Sequence, residues 1–165
     1  MTITALLFFG RLWYTRRCPK FLRGGQVRTE SLNTYIKTLA ESPRVRGFIT
    51  QYGNQQFKCP PVVVVPSCGS LVAALTYGKN LIEVSSWILV NDFETYRVLR
   101  HEFAHVIKAH CEIPGTPHGK EYIQSLKNVS PDTWRKDRHW YPNLDIEEAR
   151  LKMHPKSKTI INRVR

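Results

Sequence analysis

Apolar side chains recur at helical spacing in the first clearly patterned stretch of the chain. They lie at positions i, i+3, i+4 and i+7, which puts them on one face of a helix: Leu32, Tyr35, Ile36 and Leu39. The pattern predicts an N-terminal helix from Ser31 to about Glu41. The Ser42-Pro43 pair is predicted to end it, because proline does not continue a helix.

A second, longer amphipathic pattern predicts a helix that is capped by Asn91 or Asp92 and runs to about His110. Its buried face consists of Tyr96, Leu99, Phe103, Val106 and Ile107. Further helices are predicted from about residue 118 and over residues 145–153, whereas residues 129–144 show no regular pattern.

Short runs of β-branched and apolar residues between these helices predict strands. They cover residues 46–52, 62–65, 71–77 and 81–84. Prolines at 60, 61 and 66 bound the second run, which is therefore predicted at a sheet edge. The turn Gly78-Lys79-Asn80 joins the last two strands in a hairpin. Helices on both sides of a few strands indicate an α+β domain.

The segment His101-Glu102-Phe103-Ala104-His105 lies on the long helix and reads H-E-x-x-H. Residues four apart share a helix face, so both imidazoles can point at a single metal ion. Glu102 lies one residue further round, where its carboxylate can accept a proton from a water molecule that the metal activates. The same pattern also arises by chance on surface helices. The amphipathic helix and a further histidine nearby favour a Zn²⁺ site instead.

A catalytic zinc site takes three protein ligands and keeps one position open. His118 is the predicted third ligand, because the turn over residues 114–117 lets the chain reverse and return over the helix. His110 lies about 180° round the helix from the first motif histidine, so it is predicted to face away and to be partly exposed. Two acidic residues remain competitors, Glu112 and Glu121.

The chain carries a net charge of +12, and its basic residues are concentrated at both ends. Residues 1–29 and 149–165 contain arginine and lysine but no acidic residue. We therefore expect a basic N-terminal segment over residues 1–28, a folded domain over 29–153 and a basic tail over 154–165. Such charge favours polyanionic partners such as nucleic acid. The alternative is a basic surface without a specific partner.

The segment from Arg135 to Tyr141 mixes cations with aromatic rings. This mixture suits single-stranded DNA, where cations contact phosphates and rings stack on bases. The predicted nucleic-acid contacts are Arg135, Lys136, Arg138 and Trp140. In the alternative interpretation, Trp134 and Trp140 pack on the core instead.

No apolar run approaches the roughly 20 residues of a membrane span. The short apolar start is followed, not preceded, by basic residues, which is the reverse of a secretion signal. The four cysteines form no C-x-x-C pair and suit a reducing compartment. We expect a cytoplasmic or nucleoid- or nuclear-associated protein that is neither secreted nor bound to a membrane.

Taken together, these residues resemble the SprT-like zinc metalloproteases, the family that includes the DNA–protein crosslink protease Spartan. The resemblance covers roughly Ser31 to Ile123. It includes the hairpin over residues 74–84, the H-E-x-x-H helix and the segment His118-Gly119-Lys120-Glu121-Tyr122. Pro117 stands where the family typically has glycine, and the C-terminal four-cysteine zinc ribbon of many members is missing. The resemblance implies a zincin-like fold, in which a small, mostly antiparallel sheet packs on the H-E-x-x-H helix and an N-terminal helix.

The resemblance also implies a zinc-dependent endopeptidase. His101, His105 and His118 would bind Zn²⁺, Glu102 would be the general base, and proteins, including those on DNA, would be the substrates. The donor that stabilises the oxyanion stays open among Tyr122, His139 and Tyr141. One alternative function is that of a nucleic-acid-binding or regulatory module with structural zinc and no proteolytic activity. A protein side chain in the fourth zinc position would favour this alternative. Another rival is an H-E-x-x-H hydrolase that acts on a different bond.

Overall fold

The computed structural model describes residues 29–52, 56–139 and 142–159. The basic N-terminal segment expected over residues 1–28 lies outside the described residues, and so do residues 160–165 of the expected basic tail. The candidate site residues Trp140 and Tyr141 are also outside them.

The described residues form an α+β domain with six α-helices and one three-stranded sheet. The elements are α1 (Thr29–Ala40), α2 (Pro43–Gln51), β1 (Val62–Val65), β2 (Ala74–Tyr77), β3 (Leu81–Ser85), α3 (Asp92–His110), α4 (Lys120–Val129), α5 (Trp134–Arg138) and α6 (Leu144–Met153). A 3-10 helix, Ser86–Val90, leads from β3 into α3. None of the described helices has the length and apolar character of a membrane span.

The sheet has the strand order β1-β3-β2, and it is mixed. β2 and β3 form the predicted antiparallel hairpin, with Thr76 opposite Ile82. β1 pairs with β3 in parallel, with Val62 opposite Ile82. The expectation of a mostly antiparallel sheet is therefore wrong, because the hairpin places β3 in the middle and β1 joins its other side. β1 does lie at an edge, as its flanking prolines predicted. Asn33 of α1 fastens it by bonding both the N–H and the carbonyl of Val62, at 2.9 and 3.0 Å.

The predicted strand over residues 46–52 is wrong, because this segment belongs to helix α2. Ser42 caps the helix by accepting a hydrogen bond from the Val45 N–H at 3.3 Å, and Pro43 occupies the first turn. The Ser-Pro pair that ends α1 therefore also begins α2. Three apolar residues at helical spacing face the core: Val45, Phe48 and Ile49. The region predicted to be irregular, residues 129–144, also contains the short helix α5.

Helix α3 is the central element of the domain. Of the two predicted caps it is Asn91 that begins the helix, by accepting a hydrogen bond from the Glu94 N–H at 3.1 Å. It packs against β2, α1, α4, α5 and the 3-10 helix. Its predicted buried face is fully enclosed, with Leu99, Phe103, Val106 and Ile107 all at 0% exposure. Burial on this scale fixes the rotation of α3, and therefore which side chains it presents at the surface.

Candidate metal centre

Three histidine side chains converge beside α3. His101 and His105 lie one helical turn apart on α3, and His118 lies just before α4. The Nε2 atom of His118 is 3.1 Å from the Nε2 atoms of both other histidines, which are 3.3 Å from each other. The structure thus brings together the three residues that the sequence predicted as ligands. They are close enough to hold one metal ion.

The chain reversal after α3 carries His118 back over the helix. Glu112 adopts the left-handed conformation with φ of 51°, and the Ile113 N–H donates to the Lys108 carbonyl at 3.1 Å, which ends the helix. Gly115 follows with φ of 106°, and the Lys108 ammonium donates to its carbonyl at 3.0 Å. The turn is therefore fastened to the helix that carries the other two histidines.

All three imidazoles are held toward their neutral form, which is the form that binds metals. Burial lowers the pKa of His105 to about 3, and the neighbouring His101, His118 and Lys108 contribute in the same direction. Burial is also the main reason why the pKa values of His101 and His118 are lowered, and the guanidinium of Arg138 adds to the effect at His118. The lowered pKa values favour the neutral form of the three imidazoles, in which one ring nitrogen has a lone pair for a metal ion.

His101 is oriented from behind by α5. Its Nδ1 atom lies 2.9 Å from the backbone carbonyl of Asp137. A carbonyl oxygen only accepts hydrogen bonds, so Nδ1 carries the proton and the Nε2 lone pair faces the other two histidines. Asp137 was not among the predicted site residues, and no local signal in the sequence marks it.

Glu102 lies beside the histidine group and is held by β2. The Thr76 hydroxyl donates to the Glu102 carboxylate at 2.5 Å. Burial raises the pKa of Glu102 to about 7, and the hydrogen bond from Thr76 partly opposes that effect. A carboxyl group with such a pKa can both accept and return a proton near neutral pH.

Tyr122 of α4 packs its ring against the rings of the three histidines. It is fully buried, and its ring stacks on that of His105 with centroids 4.3 Å apart. Its hydroxyl donates to the His101 backbone carbonyl at 3.3 Å. Burial raises the pKa of this hydroxyl well above its usual range. The predicted role as an oxyanion donor would require the hydroxyl to leave this carbonyl, whereas the packing role is already in place.

The other predicted site residues differ in their exposure and in how close they lie to the histidine group. His139 is exposed and close enough to His101 and His118 to contribute to lowering their pKa values. Arg135 and Lys136 are exposed, and Arg138 is half-buried near His118. His110 faces away from the metal group as predicted, but it is buried and packs edge-on against Phe57, so its predicted partial exposure is wrong.

Comparison of the chain with models of protein families, with curated proteins and with solved structures finds no match. The function is therefore inferred from the geometry of the site.

The histidine group opens onto a cleft of about 520 Å³. β2 and its turn form one wall, and α3 with the following turn forms the other. Among the described residues, the metal-binding group has three members, and neither Glu112 nor Glu121 joins it. If these three histidines hold a metal ion, the open cleft beside them leaves room for water and a substrate, as catalytic metal sites require and closed structural sites do not.

Proposed function

We propose that this chain is a zinc-dependent endopeptidase of the SprT-like kind with a zincin-like arrangement. The observation that carries the proposal is the triangle of Nε2 atoms with the Glu102 carboxylate beside it. Tetrahedral zinc with bonds of about 2.0–2.1 Å to nitrogen needs ligand atoms about 3.3 Å apart. The Nε2 separations of 3.1–3.3 Å fit this requirement. When bound, zinc supplies a water molecule of pKa about 7 and polarises the carbonyl under attack.

The residues of the chain then have distinct tasks. Glu102 accepts a proton from the attacking water and returns it to the nitrogen of the leaving amine, which balances the hydrolysis of the peptide bond. Thr76 keeps this carboxylate in place through its hydroxyl. Of the two oxyanion candidates within the described residues, His139 is favoured over Tyr122. His139 is exposed near the histidine group, whereas the Tyr122 hydroxyl already donates to a backbone carbonyl.

Among the described residues, no strand pairs with the outer edge of β2, and this edge supports the proposal of a polypeptide substrate. The Ser85 N–H donates to the Ala73 carbonyl at 2.8 Å, so odd-numbered positions from residue 73 onwards bond to β3. Ala74 and Thr76 therefore direct their backbone groups toward the open edge, along the wall of the cleft. An extended peptide can add to such an edge as a further strand. A peptide that adds to this edge would lie beside the histidine group.

The proposal extends to proteins associated with DNA because of the charge of the chain. Its net charge is +12, and α5 carries exposed cations next to the histidine group. Trp134 of α5 has the Lys127 ammonium 4.7 Å and the Arg135 guanidinium 5.3 Å from its ring centroid. Salt-dependent binding of single-stranded DNA tests this part. Lys136→Ala should lower the salt slope by about one, whereas Lys79→Ala in the hairpin turn should leave it unchanged. If the protein shows no affinity for DNA at low salt, this extension is wrong.

The test of the proteolytic step is Glu102→Gln. The variant should retain zinc and lose about 10²–10⁴-fold in casein cleavage, because only the proton acceptor is removed. Glu112→Gln is the matched control, since Glu112 lines the same cleft outside the metal group. Wild-type turnover in the Glu102 variant would contradict the mechanism. A wild-type protein that binds zinc but cleaves neither casein nor a DNA-crosslinked protein would favour the non-proteolytic module.

A further inference from the structure

One carbonyl group connects the metal centre to a buried charge network. The Asp137 backbone carbonyl accepts the hydrogen bond from His101 Nδ1 at 2.9 Å. The same residue directs its carboxylate into the interior, where that side chain is 0% exposed. Asp137 therefore contacts a proposed metal ligand with its backbone and a buried cation with its side chain.

Two residues donate hydrogen bonds to the carboxylate of Asp137, and a third, Arg97, lies 3.6 Å from it. The Arg100 guanidinium donates to both oxygens, from Nε at 2.7 Å and from Nη2 at 3.0 Å. The Thr133 hydroxyl donates to one of them at 2.7 Å. A bidentate pair of this kind fixes direction as well as distance, and its burial prevents water from replacing it.

Arg100 directly precedes His101 on α3, so these contacts close a ring. The ring runs from the Arg100 side chain to the Asp137 carboxylate, through Asp137 to its carbonyl, and on to His101 Nδ1. Because the carboxylate is held at both oxygens, it restrains the backbone of Asp137 and with it the carbonyl that orients the His101 imidazole.

A second arginine also contacts this segment. Arg97, one turn earlier on α3, donates to the Lys136 carbonyl at 2.5 Å and pairs with Glu94 at 2.9 Å, and its Nε lies 3.6 Å from Asp137 Oδ1. The bond to the Lys136 carbonyl is the contact that does not involve the Asp137 carboxylate. α5 therefore has an attachment to α3 that does not depend on the Asp137 carboxylate. A substitution at residue 137 can disturb the carbonyl while α5 stays docked.

We propose that Asp137 is a positioning residue of the metal centre. Its carboxylate, held by Arg100 and Thr133, fixes its own carbonyl, and that carbonyl sets the tautomer and the ring orientation of His101. This role rests on the proposed zinc site but not on proteolysis. Partners of this kind behind a ligating histidine typically change metal affinity by about 10–100-fold when they are removed.

The experiment compares zinc affinity, measured by competition with a chromophoric chelator, in the wild-type protein, Asp137→Asn and Thr133→Val. Asp137→Asn should weaken zinc binding by about 10–100-fold. Thr133→Val removes a single donor and should weaken it in the same direction by less. The NMR signal of the His101 Nδ1 proton, protected in the wild type, should exchange faster with water in both variants.

Glu147→Gln is the matched control. Glu147 also forms a buried pair with an arginine three residues away, with 2.7 Å between Glu147 Oε1 and Arg150 Nη2, and neither residue belongs to the metal group. This variant should lose stability but bind zinc as the wild type does.

Each outcome decides the role of Asp137. Wild-type zinc affinity in a folded Asp137→Asn variant overturns it, and so does an equal loss of affinity in Glu147→Gln. If Asp137→Asn fails to fold, Thr133→Val decides, and wild-type affinity there overturns the role. A wild-type protein that binds no zinc would instead contradict the proposed function itself.

Discussion

Thr76→Val removes the hydroxyl that donates to the carboxylate of the proposed general base and that also lies 3.3 Å from its backbone carbonyl. Valine keeps the branched shape of threonine but lacks the hydroxyl, which donates to the Glu102 carboxylate at 2.5 Å. This donation favours the charged form of Glu102. Removing it favours the protonated form, so the pKa of Glu102 should rise above its value of about 7.

The size of the change follows from the energy of that bond. A hydrogen bond to a charged group contributes about 1.5–3 kcal/mol, and about 1.4 kcal/mol corresponds to one pKa unit. The pKa of Glu102 should therefore rise by about 1–2 units in Thr76→Val. Because a cation in the cleft lowers this pKa in both proteins, the prediction concerns the difference between them.

The assay is kcat/KM as a function of pH, whose acid limb reports the general base of the free enzyme. We expect the acid limb of Thr76→Val to lie about 1–2 pH units above that of the wild type, so that the variant reaches full activity only at a higher pH. Thr76→Ser keeps the hydroxyl and should retain the wild-type limb. An unchanged limb in Thr76→Val, or an equal shift in Thr76→Ser, would show that the Thr76 hydroxyl does not set the pKa of Glu102.

Two backbone positions around the site give further predictions. In Gly115→Ala, a Cβ atom would lie 2.5 Å from the Glu121 carboxylate at φ of 106°, so urea denaturation should show a loss of about 1–3 kcal/mol, with weaker zinc binding. Gly47→Ala, which meets open space within α2, should instead stabilise the protein by up to about 1 kcal/mol. Glu112→Gly should stabilise by about 1 kcal/mol by relieving a left-handed side chain, whereas Glu148→Gly within α6 should destabilise by about 1 kcal/mol. Changes of equal sign within either pair would contradict these assignments.

The elements that the sequence predicted correctly are those with complete local signals. Helix α3 has a capping asparagine at residue 91 and a continuous apolar stripe, and the hairpin has its own turn residues. Helix α2 was predicted as a strand because the segment considered began at residue 46 and left out Val45. Counted from Val45, Phe48 and Ile49 follow at helical spacing, and Pro43 stands at the helix start.

The mixed sheet could not be predicted, because nothing near β1 in the chain indicates which neighbour it joins. Its pairing with β3 spans the whole hairpin. His110 shows a related limit: helix geometry predicts its direction, but only the packed structure shows that this direction leads to Phe57 and the core.

The candidate site also contains residues that the local sequence predicted and residues that only the packed structure reveals. The spacing of His101, Glu102 and His105 on one helix follows from local geometry, and turn residues favoured His118. The groups that tune them come from far along the chain, since Thr76 lies 26 positions from Glu102 and Asp137 lies 36 positions from His101. Such contacts depend on how β2 and α5 pack against α3, which no local pattern contains.

The most direct test of the account is the zinc content of the purified protein, measured beside His118→Ala and His154→Ala. Wild type and His154→Ala should each carry one zinc ion per chain, because His154 lies outside the three-histidine group and bonds to Ser67. His118→Ala should lose the ion on dialysis against a weak chelator. Retention of stoichiometric zinc by His118→Ala with wild-type affinity, or a wild-type protein that takes up no zinc, would contradict the account.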